Sequence, residues 1–187
     1  MEKLILASAS PRRSELLSRV GIPFEVFVSE ADEHCALPAE EAVRELSRRK
    51  ALAVSAVHPG RFVLAADTLV ALDGRILGKP KDEADAVRML SGLSGREYSV
   101  YTGVSVVSPD GSVFTEADHS RVTFCGIPEE EILCYVRSGE PMDKAGAYAI
   151  QGRAGLWVTR LEGCDSSVIG LPLYLVRRLL LRAGYAF

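Results

Sequence analysis

The order of its local folding signals constrains this chain more than any single residue does. Strand-like apolar runs and helix-like amphipathic stretches alternate through the first half, and strand pairs joined by short turns follow. Residues 3–7 form a short apolar run ending in small residues, suited to a buried strand. It leads straight into Ser8-Ala9-Ser10-Pro11-Arg12-Arg13. There Ser10 fits a helix N-cap and Pro11 the first helical position, so a helix runs to about Val20 and stops at Gly21. Residues 24–28 read as a strand, 39–57 as a helix, and 62–72 as a strand between the Pro59-Gly60 and Asp73-Gly74 turn signals. A helix capped by Asp82 then runs through Met89, Leu90 and Leu93. Strands at 100–107 and 112–124 pair around Pro109-Asp110-Gly111, and a helix starts near Pro128 with Glu129, Glu130 and Glu131 at its positive end. A glycine-rich loop spans 139–155, followed by a strand at 156–161 and a last helix from 171 to about 183. Alternation first and hairpins later predict an α/β fold on a mixed β-sheet with flanking helices.

Length and charge bound the function. The chain has 187 residues, 48% of them apolar, which suits one domain over 1–187 built as two lobes on a shared core. A chain this long buries roughly 70% of its unfolded surface without needing a disulfide or metal staple. Its 22 basic and 25 acidic residues give a net charge of −3, which argues against a surface built to trap nucleic acid. Cys35, Cys125, Cys134 and Cys164 form no CxxC pair, and His34, His58 and His119 stand apart, so no zinc site is expected. The N-terminal segment has no secretory pattern, and residues 171–181 are broken by Arg177 and Arg178. A cytoplasmic protein with reduced thiols and no membrane partner is expected.

Six places carry possible chemistry. A strand feeding directly into a helix at residues 8–13 presents free backbone N–H groups and the positive end of a helix dipole. The hydroxyls of Ser8 and Ser10 and the guanidinium forks of Arg12 and Arg13 add donors shaped for phosphate oxygens. Capping explains Ser10 and Pro11 but not two arginines in a first turn, where the dipole disfavours cations. Asp67 is the sharpest candidate. It interrupts the apolar run 62–70, where a charge is costly unless paired or used, and a carboxylate on a rigid strand can hold a metal or deprotonate water. Lys50 falls on the stripe of Val43, Leu46 and Val54, where a lysine reads best as snorkelling to water. Lys79, between Gly78 and Pro80, reads by itself as a surface lysine. Asp32 and Glu33 offer further carboxylates, and one or two of these plus substrate phosphates suffice for Mg²⁺. In the loop 143–152, small residues allow close backbone approach and Gln151 offers an amide with donor and acceptor.

Together, LILASASPRRSELL, the Lys50 helix, VLAADTLV, GKPKDEADAVRMLSGLSGREYSVYTGV, SGEPMDKAGAYAIQG and SSVIGLPL resemble the Maf family of nucleotide pyrophosphatases, also described as septum-formation inhibitors. The resemblance implies a two-lobed α/β fold related to the inosine triphosphate pyrophosphatases, with the active site in the cleft between lobes. It further implies cleavage of a nucleoside triphosphate to monophosphate and pyrophosphate with a divalent cation, Mg²⁺ or Mn²⁺, in a homodimer. DKAGAYAIQG is similar to the branch acting on dTTP and UTP; the branch acting on 7-methyl-GTP and a non-catalytic regulator of septum formation are the alternatives. By this resemblance Asp67 matches the catalytic proton acceptor, and Arg12, Thr68 and Gln151 match positions linked to substrate specificity. Arg13, Glu33, Lys50 and Lys79 match polar positions around the triphosphate and metal, with Asp32 and Asp67 as further metal carboxylates. Two departures stand out: Ala149 replaces a common glycine, a strain if that position needs positive φ, and Cys164-Asp165 is unusual before Ser166.

Overall fold

The computed structural model describes residues 1–187. Seven strands form one sheet: β1 (Leu4–Leu6), β2 (Phe24–Val26), β3 (Val63–Leu72), β4 (Arg75–Leu77), β5 (Glu97–Val107), β6 (Val113–Phe124) and β7 (Val158–Glu162). The helices are α1 (Pro11–Arg19), α2 (Ala39–Val57), α3 (Glu83–Leu93), α4 (Glu129–Arg137), α5 (Asp165–Ile169) and α6 (Leu173–Arg182). The sheet order is β2-β1-β3-β5-β6-β7, with β4 paired to β3. β1 runs parallel to β2 and to β3, whereas β3–β4 and β6–β7 are antiparallel, so the sheet is mixed as the alternation of signals predicts.

The chain divides into two compact units. The first comprises Met1–Asp67, Thr102–Asp118 and Gly170–Phe187; the second comprises Thr68–Tyr101 and His119–Ile169. In the first unit, Ile5, Ala7, Val63, Ala65 and Val107 pack against Ala51 and Val54 of α2. Burying each of the larger side chains contributes about 1.5–3 kcal/mol. Gly103 lets α2 lie close on β5: a Cβ there would sit 2.1 Å from the Val43 carbonyl oxygen. The second unit has an aromatic core in which Tyr98, Phe124, Tyr148, Trp157 and Tyr135 meet edge-to-face.

Three local expectations need correction. Ser10 holds the N-cap position of α1, but its side chain makes no cap bond; the Ser8 hydroxyl instead accepts the Ser10 N–H at 3.2 Å. Asp82, by contrast, caps α3 as expected, accepting Asp85 N–H at 2.8 Å. The strand expected from 156 begins at Val158, because Arg153–Trp157 form a 3₁₀ turn. The loop 139–155 is likewise partly ordered into 3₁₀ turns at Glu140–Asp143 and Ala145–Ala147. The Cys164-Asp165 segment starts α5: the Cys164 carbonyl accepts the N–H groups of Ser167 and Val168, and its own N–H donates to Ser120 Oγ.

Candidate active site

In the first unit, β1 ends at Leu6 and the chain reaches α1 through Ser8, which is buried. Ser8 Oγ accepts a hydrogen bond from Arg13 Nη1 at 2.9 Å, and Arg13 Nε donates to the Gly170 carbonyl at 2.8 Å. Two segments far apart in sequence therefore fix one guanidinium. Burial pulls the Arg13 pKa down; the fields of Asp67 and Glu33 oppose this, and that of Arg12 adds to it. Arginine nevertheless stays charged at neutral pH. The helix start thus holds a desolvated cation facing acidic groups, an arrangement suited to binding an anion.

Lys50 does not snorkel. The α2 stripe that buries Val43, Leu46 and Val54 carries its ammonium to Asp67 Oδ1 at 2.6 Å and Glu33 Oε1 at 2.7 Å. The Lys50 and Asp67 side chains are each only 12% exposed, Glu33 62%. Asp67 lies in β3 after four buried residues, Val63 to Ala66, which explains why its carboxylate needs a cation. The Glu33 loop is tied down by Arg49, which donates to the His34 carbonyl at 2.9 Å. Asp32 serves its own turn, accepting the His34 N–H at 2.9 Å. No three His, Cys, Asp or Glu side chains cluster as a ready-made metal cage. Asp67 and Glu33, which both meet the Lys50 ammonium, are hard oxygen donors of the kind Mg²⁺ prefers.

The second unit carries the other candidates. Thr68, half-buried on β3, follows Asp67 directly. Lys79 is exposed in the loop between β4 and α3, and the carbonyl of its neighbour Gly78 accepts Gly146 N–H at 3.1 Å. Gln151 is exposed on a turn closed by Gly152 N–H donating to the Ala149 carbonyl at 3.0 Å. Ala149 is unstrained: among non-glycine residues only Asp73 and Ala147 have positive φ. The structure therefore brings Ser8 to Arg13 and Lys50 to Asp67 and Glu33, while Asp32 stays in its own turn. Sequence reasoning missed the Gly170 carbonyl, because a backbone acceptor leaves no side-chain signal.

Known proteins resemble this chain along nearly its whole length. A profile of the family described as Maf-like protein matches residues 3–183. A dTTP/UTP pyrophosphatase from Symbiobacterium thermophilum is 50% identical over 187 residues, covering 99% of this chain and 96% of the relative. Proteins of the same name from Geobacillus sp. and Myxococcus xanthus are 48% and 50% identical; they align with 99% and 97% of this chain and with 100% and 92% of their own lengths. Among solved structures, the Ham1 protein of Staphylococcus aureus matches with a TM-score of 0.51 at 14% identity, over 97% of this chain and 99% of its own. A HAM1 protein from Coxiella burnetii matches with a TM-score of 0.52 at 14% identity, over 97% and 100%. These two share the fold.

Proposed function

Because the chain belongs to the Maf-like protein family, we propose that it is a nucleoside triphosphate pyrophosphatase hydrolysing dTTP and UTP to the monophosphate and pyrophosphate. The observation that carries this reading is the largely buried Lys50–Asp67 pair, joined by the exposed Glu33, beside the desolvated Arg13. The names of relatives about half identical to it over nearly the whole chain support the same chemistry.

In the proposed mechanism Lys50 holds Asp67 by Oδ1, leaving Oδ2 to orient a water and take its proton. The water oxygen forms a bond to the α-phosphorus. The bond from that phosphorus to the α–β bridging oxygen breaks, and its electron pair leaves on pyrophosphate. Arg12, Arg13, Ser8, Ser10, Lys50 and Lys79 bind phosphate oxygens, so catalysis is mostly positioning plus charge stabilisation. Glu33 and Asp67, with Asp32 nearby in sequence, would hold a divalent cation, Mg²⁺ or Mn²⁺. When bound, it supplies neutralisation of the phosphate charge. In the second unit, Gln151 reads the uracil or thymine edge by accepting from the ring N–H and donating to a carbonyl, helped by the Thr68 hydroxyl. The proposal includes a cytoplasmic homodimer; four free cysteines accord with a reducing compartment.

Asp67→Asn tests the reading. It should lower pyrophosphate release from UTP by about 10²–10⁴-fold while nucleotide binding stays within a few-fold. Unchanged turnover would remove Asp67 from the chemistry. A wild-type protein that binds UTP yet releases no pyrophosphate with Mg²⁺ or Mn²⁺ would be a regulator rather than an enzyme.

A further inference from the structure

The turn that carries Gln151 is held from beneath by a buried hydroxyl. Tyr135 lies on α4, fully buried, with its ring edge-on to Trp157 at 5.0 Å between centroids. Its hydroxyl accepts the Ala149 N–H at 3.1 Å and donates to Glu140 Oε1 at 2.9 Å. Ala149 opens the turn, since its carbonyl accepts the Gly152 N–H. At the other end, the Glu140 carboxylate lies directly on Gly152: a Cβ there would fall 2.0 Å from Oε1 and 2.8 Å from Cδ. One tyrosine and one carboxylate therefore brace both ends of the four-residue turn that contains Gln151.

The brace is itself fixed. The Glu140 carbonyl accepts Lys144 Nζ at 2.5 Å, and its N–H donates to Ser138 Oγ at 3.3 Å. Burial raises the Tyr135 pKa; the Ala149 N–H works against this and the Glu140 bond adds to it, so the phenol keeps its proton and its donor role at neutral pH. Packing alone does not account for the arrangement. A phenylalanine would fill the same volume, whereas the hydroxyl connects the turn to the carboxylate. A recognition group must be held within about 0.5 Å of its productive position by partners that are themselves locked.

We propose that Tyr135 and Glu140 are positioning residues that set the orientation of Gln151 and so the nucleobase selectivity of the enzyme. This rests on the reading of Gln151 as the side chain that meets the base. Glu140→Gln keeps an acceptor oxygen for the Tyr135 hydroxyl; Glu140→Ala and Tyr135→Phe break the brace.

The test measures kcat and KM for UTP, dTTP, CTP and ATP in these three variants and in Gln151→Ala, with Tm alongside. Tyr135→Phe and Glu140→Ala should raise the KM for UTP and flatten selectivity by about tenfold with kcat for UTP little changed, and Glu140→Gln should stay within about threefold of wild type. A merely structural role would lower Tm and leave selectivity intact. If Gln151→Ala flattens selectivity while Tyr135→Phe and Glu140→Ala do not, the positioning role is overturned and the base-reading role stands. If the brace variants flatten it while Gln151→Ala does not, Gln151 is not the group through which they act and the proposal is overturned. If none of the variants alters selectivity, both assignments fall. Should Tyr135→Phe not fold, the Glu140→Ala and Glu140→Gln pair carries the same comparison.

Discussion

At Lys50 an ammonium leaves water for two carboxylates, one of them on a buried strand. Removing one partner of such a pair strands the other charge, so Lys50→Met should destabilise the protein by about 3 kcal/mol in urea unfolding. A loss below about 0.5 kcal/mol would show that Asp67 is solvated rather than paired. Ala149 makes the opposite point. It does not need positive φ, so Ala149→Gly relieves nothing and should cost about 0.5–1 kcal/mol through the greater freedom of the unfolded chain. A stabilised glycine variant would mean that the turn is strained there. Asp67 was legible in the sequence because one charge in an apolar run must have a reason to be there. Its partner was harder to see, since a lysine on a helical stripe reads the same whether it ends in water or in an ion pair. Ser10 holds the N-cap position that its sequence context indicates, but its hydroxyl makes no cap bond.

Long elements followed from periodicity and punctuation. The Ala39–Val57 helix matches its sequence reading at both ends, and β3 differs from its reading by one residue. β4, three residues, and α5, five residues, escaped notice because neither is long enough to show a period. The close approach of α2 to β5 was invisible for a different reason: it is a relation between two elements, and Gly103 means nothing until Val43 is known to lie above it. A methyl group there would meet the Val43 carbonyl oxygen at 2.1 Å and carbon at 2.4 Å, helix backbone that cannot step aside. Gly103→Ala should cost about 3 kcal/mol. Because Lys50 lies about two turns along from Val43, the same change should also weaken pyrophosphate release beyond what unfolding explains. A stable, fully active Gly103→Ala protein would show that the seating of α2 against Gly103 does not set the position of Lys50.

For the molecule as a whole, a near-balance of 22 basic and 25 acidic residues conceals a local arrangement in which Arg13, Lys50, Asp67 and Glu33 share one unit. The second unit carries a different electrostatic signature, a core of buried tyrosines. Burial raises the pKa of Tyr98 and Tyr148 and is the main cause of the same shift at Tyr135. Below about pH 10 these phenols are neutral in both folded and unfolded chains. Above it the unfolded chain sheds protons that the folded one retains, so stability falls as pH rises. Ionisation of Tyr98, Tyr135 and Tyr148, followed by ultraviolet absorbance, should therefore coincide with loss of far-ultraviolet circular dichroism, whereas the exposed Tyr174 ionises before it. Titration of all six tyrosines near pH 10 with the dichroism intact would contradict the buried core. UTP hydrolysis in water labelled with heavy oxygen and supplied with Mg²⁺ decides whether Asp67 directs water to the α-phosphorus. Label should enter the monophosphate alone, about 10²–10⁴-fold more slowly with Asp67→Asn; label in pyrophosphate would move the attack off the α-phosphorus, and equal turnover by the variant would take Asp67 out of the chemistry.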